Sequence, residues 1–325
     1  MLFVTNRNFK EGKESTLNRK VTFDLNDTDP SNSAFFCQRR GKDNYIEVLC
    51  KNFLDTLKKS SAKQILLYIH GFNNLPERDI FPRAVKLQKL CDGAGPGLIE
   101  VVPLIWPCDN DLGIIKDYWD DQKAAEASAH SFSRVFSKFL AWRDGQPEND
   151  PCYKRINILA HSMGNRVLRF ALESWARDYG AVPGVFRNIF MAAADVVNET
   201  LERGESGRHI SDAARNVAVY YANDDFALRS SKVTNLKNKV VSRRLGHTGP
   251  EDMSRVAKNV YAIDCDNFNN TYDSPTGHAY FLTAPGNRPG AVFKHMFHAL
   301  KTGRVDADPQ TRALILKRNY KAPKA

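Results

Sequence analysis

The chain has 325 residues, of which 42% are apolar and 26% are charged, and its formal net charge is +10. These proportions are ordinary for a globular protein with a sizeable core. No run of about 18 apolar residues occurs, which predicts no integral membrane segment. The first ten residues lack the regions of a secretory signal, so a cytoplasmic location is expected. The oligomeric state is not specified by the sequence.

The positive charge does not by itself predict an anionic partner. Lysine and arginine are scattered along the chain, apart from small clusters such as Arg243-Arg244 and the tail Lys317, Arg318, Lys321 and Lys324. No RNA-binding signature, zinc finger or helix-turn-helix pattern accompanies them, so no nucleic-acid partner is expected. Solubility is the simplest explanation of the charge.

The six cysteines are spread along the chain without a C-x-x-C pair and without clustering with histidine. This spacing predicts free thiols and no zinc site. Several lie in or beside apolar segments, where a reduced cysteine behaves as a small hydrophobic residue. We therefore expect no metal and no cofactor.

In chain order, strand-like apolar runs alternate with amphipathic helical patterns. Strands are predicted at 2–5, 20–25, 64–70, 99–106, 155–160, 186–194, 216–222 and 259–265, and helices at 78–91, 118–142, after Gly164, and at 292–300. This alternation predicts an α/β fold, a mostly parallel eight-stranded sheet with helices on both faces. No repeat or composition shift marks a second domain, so residues 1–325 are expected to form one domain, with possible lids around 201–212 and 229–254.

The most informative motif is Ala160-His161-Ser162-Met163-Gly164, between the strand 155–160 and a helix. A sharp turn of this kind exposes a nucleophilic serine, and it needs small residues two positions before and after it, which are Ala160 and Gly164. The bare pattern arises by chance in roughly one chain in four of this length. The strand before it and the amphipathic helix after it favour a nucleophile elbow.

A serine nucleophile needs a histidine base and a carboxylate. In an α/β fold with such an elbow, the expected chain order is serine, acid, histidine. His278 follows the loop that leaves the strand 259–265, which favours it over His295 and His298 in the helical pattern at 292–300. Asp225, at the end of the strand 216–222, is the first candidate for the acid. Asp224 is the near alternative, and Asp195 is a second, because some hydrolases take their acid from the preceding strand.

The oxyanion hole is expected to use two backbone amides. One is that of Met163, directly after the serine. The other is that of Phe72, because the strand 64–70 ends in His70-Gly71-Phe72 and Gly71 permits a tight turn. His70 itself is expected to brace this loop.

Together these motifs resemble the α/β-hydrolase superfamily. More narrowly, residues 64–280 resemble a family of bacterial α/β-hydrolases of unknown function, in which a strand ends in H-G-F/Y-N, the elbow has the sequence A-H-S-M-G and an aspartate precedes a short A-L segment, as Asp225 does here. Ala160 replaces the glycine that is commoner in the superfamily.

The resemblance implies attack of Ser162 on an acyl carbonyl and an acyl-enzyme hydrolysed by water. A small-molecule carboxylic ester is the expected substrate. Fold alone does not separate an esterase or lipase from a thioesterase or acyltransferase. A second hypothesis, from another class, is a binding protein that has this fold and no activity.

Overall fold

The computed structural model describes residues 1–108, 114–228 and 243–323, and for residues 114–117 and 119 it describes the backbone alone. The chain divides into two compact units. The first consists of Met1–Ile156 and Phe170–Ala181, and the second of Asn157–Arg169 and Val182–Ala325.

The first unit contains six strands and three helices. The strands are β1 (Leu2–Thr5), β2 (Lys20–Val21), β3 (Phe35–Gly41), β4 (Asn44–Glu47), β5 (Gln64–Ile69) and β6 (Ile99–Ile105), and the helices are α1 (Cys50–Lys59), α2 (Phe81–Ala94), preceded by a π-helical turn at Pro76–Ile80, and α3 (Ile114–Asp144). The strand order is β5-β6-β1-β3-β4-β2. β5, β6 and β1 are parallel, whereas β3, β4 and β2 pair antiparallel.

The antiparallel strands β3 and β4 and the helix α1 were not predicted from the sequence. Only the first half of β3 is buried, and its second half carries charged residues that interrupt the apolar pattern. One of them, Arg39, forms a two-point ion pair with Glu77, at 2.7 and 2.8 Å. Polar contacts of this kind stabilise β3, and they cannot be predicted from the hydropathy of the sequence alone.

Aromatic side chains form the core between these strands and α2. The ring of Phe3 on β1 lies 5.2 Å from that of Phe81 and 5.8 Å from that of Tyr45, measured between centroids. All three side chains are buried. Their edge-to-face packing fixes β1 and α2 relative to β4.

The second unit contains the remaining strands. They are β7 (Arg155–His161), which begins at the end of the first unit, β8 (Phe186–Ala192), β9 (Ala214–Tyr221), β10 (Val260–Asp264), β11 (Thr283–Ala284), β12 (Arg288–Pro289) and β13 (Ala313–Ile315). The helices are α4 (Gly164–Tyr179), which ends in the first unit, α5 (His209–Asp212), α6 (Leu245–Thr248), α7 (Asn269–Tyr272) and α8 (Ala291–Thr302). Within this unit the strand order is β13-β10-β9-β8-β7, and β11 and β12 form a separate hairpin.

A buried ladder of asparagines aligns three strands of the second unit. Asn188 on β8 donates to Asn157 on β7 at 2.8 Å, and Asn216 on β9 donates to Asn188 at 2.9 Å. Asn216 also donates to the carbonyl of Gly303 at 3.1 Å, beyond the end of α8. Because a one-residue slip would leave buried amides unpaired, the ladder fixes the strand register.

The mixed α/β class with mostly parallel strands is confirmed, but the predicted number of eight strands is wrong. Within the described residues six strands belong to the sheet order of the first unit and five to that of the second. The excess comes from β3, β4 and β13, which are short or partly polar. The segment 201–212 forms a 3₁₀ turn and α5, and residues 229–242 of the second predicted lid lie outside the described residues. Among the described helices, none is long and apolar enough to cross a membrane.

Candidate active site

Ser162 lies in a strained turn between β7 and α4. Its φ angle is +53°, a left-handed conformation that a non-glycine residue adopts at a cost of about 1–3 kcal/mol. The amide of Ser162 donates to the carbonyl of Ala192 at 2.9 Å, and its own carbonyl accepts from the amide of Asp195 at 3.2 Å. The end of β8 therefore holds the turn in place.

Asn165 braces the same turn from within α4. Its side-chain amide donates to the carbonyls of Ala160 and Ser162, at 3.1 and 3.0 Å, and the side chain is fully buried. Sequence reasoning missed this residue. Its position three residues after the serine, where a polar side chain enters an apolar helix face, was the available signal.

The turn leaves one backbone donor beside the serine. Within the described part of the chain, the amide of Met163 donates to no other group. It directly precedes α4, where the first amides of a helix lack intrahelical acceptors. Such an amide can stabilise an oxyanion that develops next to Ser162.

Asp225 and His278 are joined by a short hydrogen bond. His278 Nδ1 lies 2.7 Å from Asp225 Oδ2, and the carboxylate is fully buried. The other carboxylate oxygen of Asp225 accepts from the amide of Leu228 at 3.0 Å. Because Nδ1 is engaged by the carboxylate, Nε2 is the ring nitrogen left to exchange a proton with another group.

A braced loop carries His278. Asp273 Oδ2 accepts from the amides of His278 and Ala279, at 2.8 and 2.7 Å, and from the hydroxyl of Thr276 at 2.5 Å. Burial acts to raise the pKa of Asp273, but these three donors outweigh it and lower that pKa below its usual value. The loop therefore contains a fixed negative charge next to the backbone of His278.

Asp224, the near alternative acid, braces this loop from its other side. Its carboxylate accepts from the side-chain amides of Asn269, at 2.5 Å, and of Asn270. The amide of Phe226 also donates to the carbonyl of Thr276 at 3.0 Å. The structure therefore engages Asp224 with loop amides and engages Asp225 with the imidazole.

The ring of His161 packs against the rings of His278 and Phe281. The ring of His161 lies 4.8 Å from that of His278 and 4.6 Å from that of Phe281, between centroids. His161 Nε2 also donates to the carbonyl of His278 at 3.2 Å. Sequence reasoning did not assign a role to His161, although it immediately precedes Ser162. This contact links the elbow to the loop of His278.

The pKa of His278 is raised above its ordinary value. Burial is the largest single influence and acts to lower it, but the charge and hydrogen bond of Asp225, together with the charges of Asp273 and Asp195, outweigh burial. The imidazolium is therefore stabilised by three carboxylates. An imidazole whose cation is stabilised in this way accepts a proton readily, as a general base must.

Asp195, the other candidate acid, is paired with an arginine. Its Oδ1 lies 3.2 Å from Arg244 Nε, and neither side chain is more than 5% exposed. A Cβ atom at Gly246 would overlap the backbone of Ala193 and Ala194, so only glycine allows this close packing of α6 on the turn after β8. Arg244, which sequence reasoning had treated as part of a surface cluster, is thereby buried against Asp195.

Phe72 lies in the first unit, after β5. Asn74 Nδ2 donates to the carbonyls of Gly71 and Phe72, at 3.0 and 2.6 Å. His70 Nδ1 donates to the carbonyl of Gly71 at 2.8 Å, and His70 Nε2 accepts from the amide of Trp106 at 3.2 Å. Burial is the main cause that lowers the pKa of His70 to about 3. His70 is thus a neutral residue that braces this loop.

The six cysteines are all free thiols. Within the described ranges, no group of three or more His, Cys, Asp or Glu side chains is arranged to hold a metal ion.

One family of known proteins matches most of this chain. A solved structure described as a lipase-esterase related protein from Clostridium acetobutylicum ATCC 824 is similar over 63% of this chain and 75% of its own, with 12% identity and a TM-score of 0.24. No curated protein matches the sequence. The model of the family described as "Alpha/beta hydrolase of unknown function (DUF900)" matches residues 47–288. Because this match covers most of the chain, the protein belongs to that family of α/β-hydrolases.

Proposed function

We propose that the protein is a serine hydrolase that cleaves a carboxylic ester through an acyl-enzyme on Ser162. The observation that carries the proposal is the 2.7 Å hydrogen bond between Asp225 and His278, in the same unit as the strained serine. A buried carboxylate that orients an imidazole is the arrangement that activates a serine hydroxyl.

In the proposed reaction, His278 Nε2 takes the proton of Ser162 Oγ as the oxygen attacks the ester carbonyl. The resulting oxyanion accepts a hydrogen bond from the amide of Met163. His278 then returns the proton to the leaving alkoxide, and the acyl group stays on Ser162. Water, deprotonated by His278, releases the carboxylic acid and restores the hydroxyl of Ser162. Asp225 stabilises the imidazolium in both steps.

The proposal is tested with p-nitrophenyl butyrate. We expect steady hydrolysis, preceded by a burst of p-nitrophenol if deacylation is the slower step. A butyryl thioester as substrate and a primary alcohol as acceptor distinguish the alternatives. Turnover of the thioester alone supports a thioesterase, and ester formation with the alcohol supports an acyltransferase. Absence of turnover together with absence of any covalent adduct on Ser162 supports the binding protein.

The activity is expected to depend on the protonation of His278. Protonated His278 cannot accept the proton of Ser162, so kcat/KM falls as the pH falls through the pKa of His278 in the folded protein. Because that pKa lies above the ordinary histidine value of 6.5, the inflection of the pH profile is expected above 6.5. The profile of kcat/KM against pH measures it, and Asp225→Asn is expected to move the inflection downward. An inflection below 6.5 in the wild type contradicts the assignment.

Asp273 is expected to act as a positioning residue. Asp273→Ala removes the acceptor that holds the backbone of His278 and is expected to lower kcat by about 10- to 100-fold, because small displacements of catalytic groups cost rate steeply. The inflection of the pH profile is also expected to move down, since the charge of Asp273 helps to raise the pKa of His278.

The matched control is Asp308→Ala. Asp308 Oδ1 accepts from the amides of Gln310 and Thr311 and from the Thr311 hydroxyl, which is the same kind of braced turn away from the loop of His278. This variant is expected to keep the wild-type rate and inflection. Equal effects of the two variants would show that Asp273 has only a general structural role.

A further inference from the structure

A cavity in the second unit has a positively charged lining. Its volume is about 480 Å³, and Arg288, Lys294, Lys317 and Arg318 all line it. The other described residues of the lining are neutral, two asparagines and a tyrosine among them, and none of the described lining residues is a carboxylate. Cavities of about 300–1,000 Å³ are typical of small-molecule sites.

All four cations are exposed, whereas the buried Arg244 and the half-buried Arg39 each pair with a carboxylate. Among the described residues, none of the four takes part in an ion pair, and the side-chain hydrogen bond of Arg288 goes to the carbonyl of Pro285 at 3.4 Å. Like charges around one cavity repel one another. An anion in the cavity would relieve that repulsion.

The backbone that presents the cations is held in place. Arg288 lies on β12 and Lys294 on α8, whereas Lys317 and Arg318 belong to a turn closed by a hydrogen bond from the amide of Tyr320 to the carbonyl of Lys317, at 2.9 Å. The hydroxyl of Tyr320 donates to Asp306 at 2.8 Å.

A second contact fixes the same turn. The hydroxyl of Tyr272, which also lines the cavity, donates to the carbonyl of Arg318 at 3.3 Å. The basic pair at 317–318 is therefore part of a folded turn, whereas the sequence alone suggested a solubilising tail. Lys324, at the end of that tail, lies outside the described residues.

We propose that this cavity binds a phosphate-bearing anion of several negative charges, such as a diphosphate group. Two guanidinium groups offer planar pairs of donors that match phosphate oxygens, and two ammonium groups add charge. The positive charge of four cations exceeds the single negative charge of a carboxylate, which favours a ligand with several negative charges. This site is independent of the proposed ester hydrolysis, since none of its cations belongs to the candidate triad.

The test is calorimetric titration of the full-length protein with pyrophosphate at low and high salt. Binding is expected and is expected to weaken with salt, because exposed charges are screened beyond about 10 Å at 0.1 M salt. Lys317→Gln/Arg318→Gln is expected to weaken binding at least about tenfold, as the loss of charge-assisted hydrogen bonds does. Arg288→Gln/Lys294→Gln, on other elements, is expected to do the same.

The matched control is Lys10→Gln/Lys13→Gln, which makes the same change in net charge at two exposed lysines of the first unit. It is expected to bind pyrophosphate as the wild type does. If this variant weakened pyrophosphate binding as much as the cavity variants do, the weakening would be caused by the change in net charge alone. That result would overturn the proposal. Thermal unfolding of each variant shows that it is folded.

Phosphatidylcholine vesicles with and without phosphatidic acid distinguish a soluble ligand from a lipid headgroup. Binding of pyrophosphate shows that a soluble phosphate compound is sufficient to occupy the cavity. Binding to the phosphatidic acid vesicles alone, lost in both cavity variants, identifies the headgroup as the source of the phosphate. Binding of neither probe overturns the proposal.

Discussion

Replacement of Ser162 by alanine is expected to lower kcat/KM for p-nitrophenyl butyrate by at least about 10⁴-fold, because loss of the nucleophile removes the covalent route and leaves only transition-state binding. The substitution removes a single oxygen from a turn held by backbone hydrogen bonds to Ala192 and Asp195. The midpoint of thermal unfolding is therefore expected to change little. Steady-state kinetics and thermal unfolding of the same preparation measure both.

Ser211→Ala is the matched control. Ser211 is a buried serine of α5 in the same unit, and it has no place in the proposed reaction. Its variant is expected to retain wild-type kcat/KM. If Ser162→Ala kept the activity of the wild type, the nucleophile would have to be another residue, and the proposed acyl-enzyme would be wrong.

Asp225→Asn is expected to lower kcat/KM by about 10³- to 10⁴-fold. An amide in place of the carboxylate cannot stabilise the imidazolium, and it favours the wrong tautomer of His278. The shape of the side chain is conserved and the hydrogen bond from the amide of Leu228 can persist, so the fold is expected to be retained. Kinetics at several pH values distinguish a loss of the orientation of His278 from a shift of its pKa.

Asp195→Asn tests the competing assignment. It breaks a buried ion pair and leaves Arg244 without its partner, which typically costs about 3–5 kcal/mol of stability. We therefore expect a lower unfolding midpoint with most of the rate retained in the folded fraction. Asp195→Asn/Arg244→Met removes both charges and is expected to recover part of the stability. Loss of rate in Asp195→Asn with retention in Asp225→Asn would assign the acid to the end of β8.

Sequence patterns predicted the buried parallel strands well, because these strands are continuous apolar runs. β5, β6, β7 and β10 end within a residue or two of their predicted limits. The antiparallel pair β3 and β4 was missed because its charged residues are satisfied by partners distant in the chain, such as Glu77 for Arg39. Long-range polar pairing of this kind has no local signature.

In the candidate site too, features set by neighbouring residues could be predicted from the sequence, whereas features set by residues distant in the chain could not. The elbow is a local motif, so its residues could be predicted directly from the sequence. The choice among Asp195, Asp224 and Asp225 depends on which partner each carboxylate meets, and those partners are Arg244, Asn269 and His278. Each partner lies 40 or more positions away in the chain, so the sequence could rank the three acids only by the strand end at which each lies.

The proposed mechanism depends on activation of Ser162 by His278. Reaction with a fluorophosphonate probe, followed by peptide mass spectrometry, tests it most directly, since such probes form a covalent bond with activated serines. We expect one adduct, on the peptide that contains Ser162, and its loss in His278→Ala while the unfolding midpoint is retained. Adduct formation at another serine, or undiminished labelling of Ser162 in His278→Ala, would contradict it.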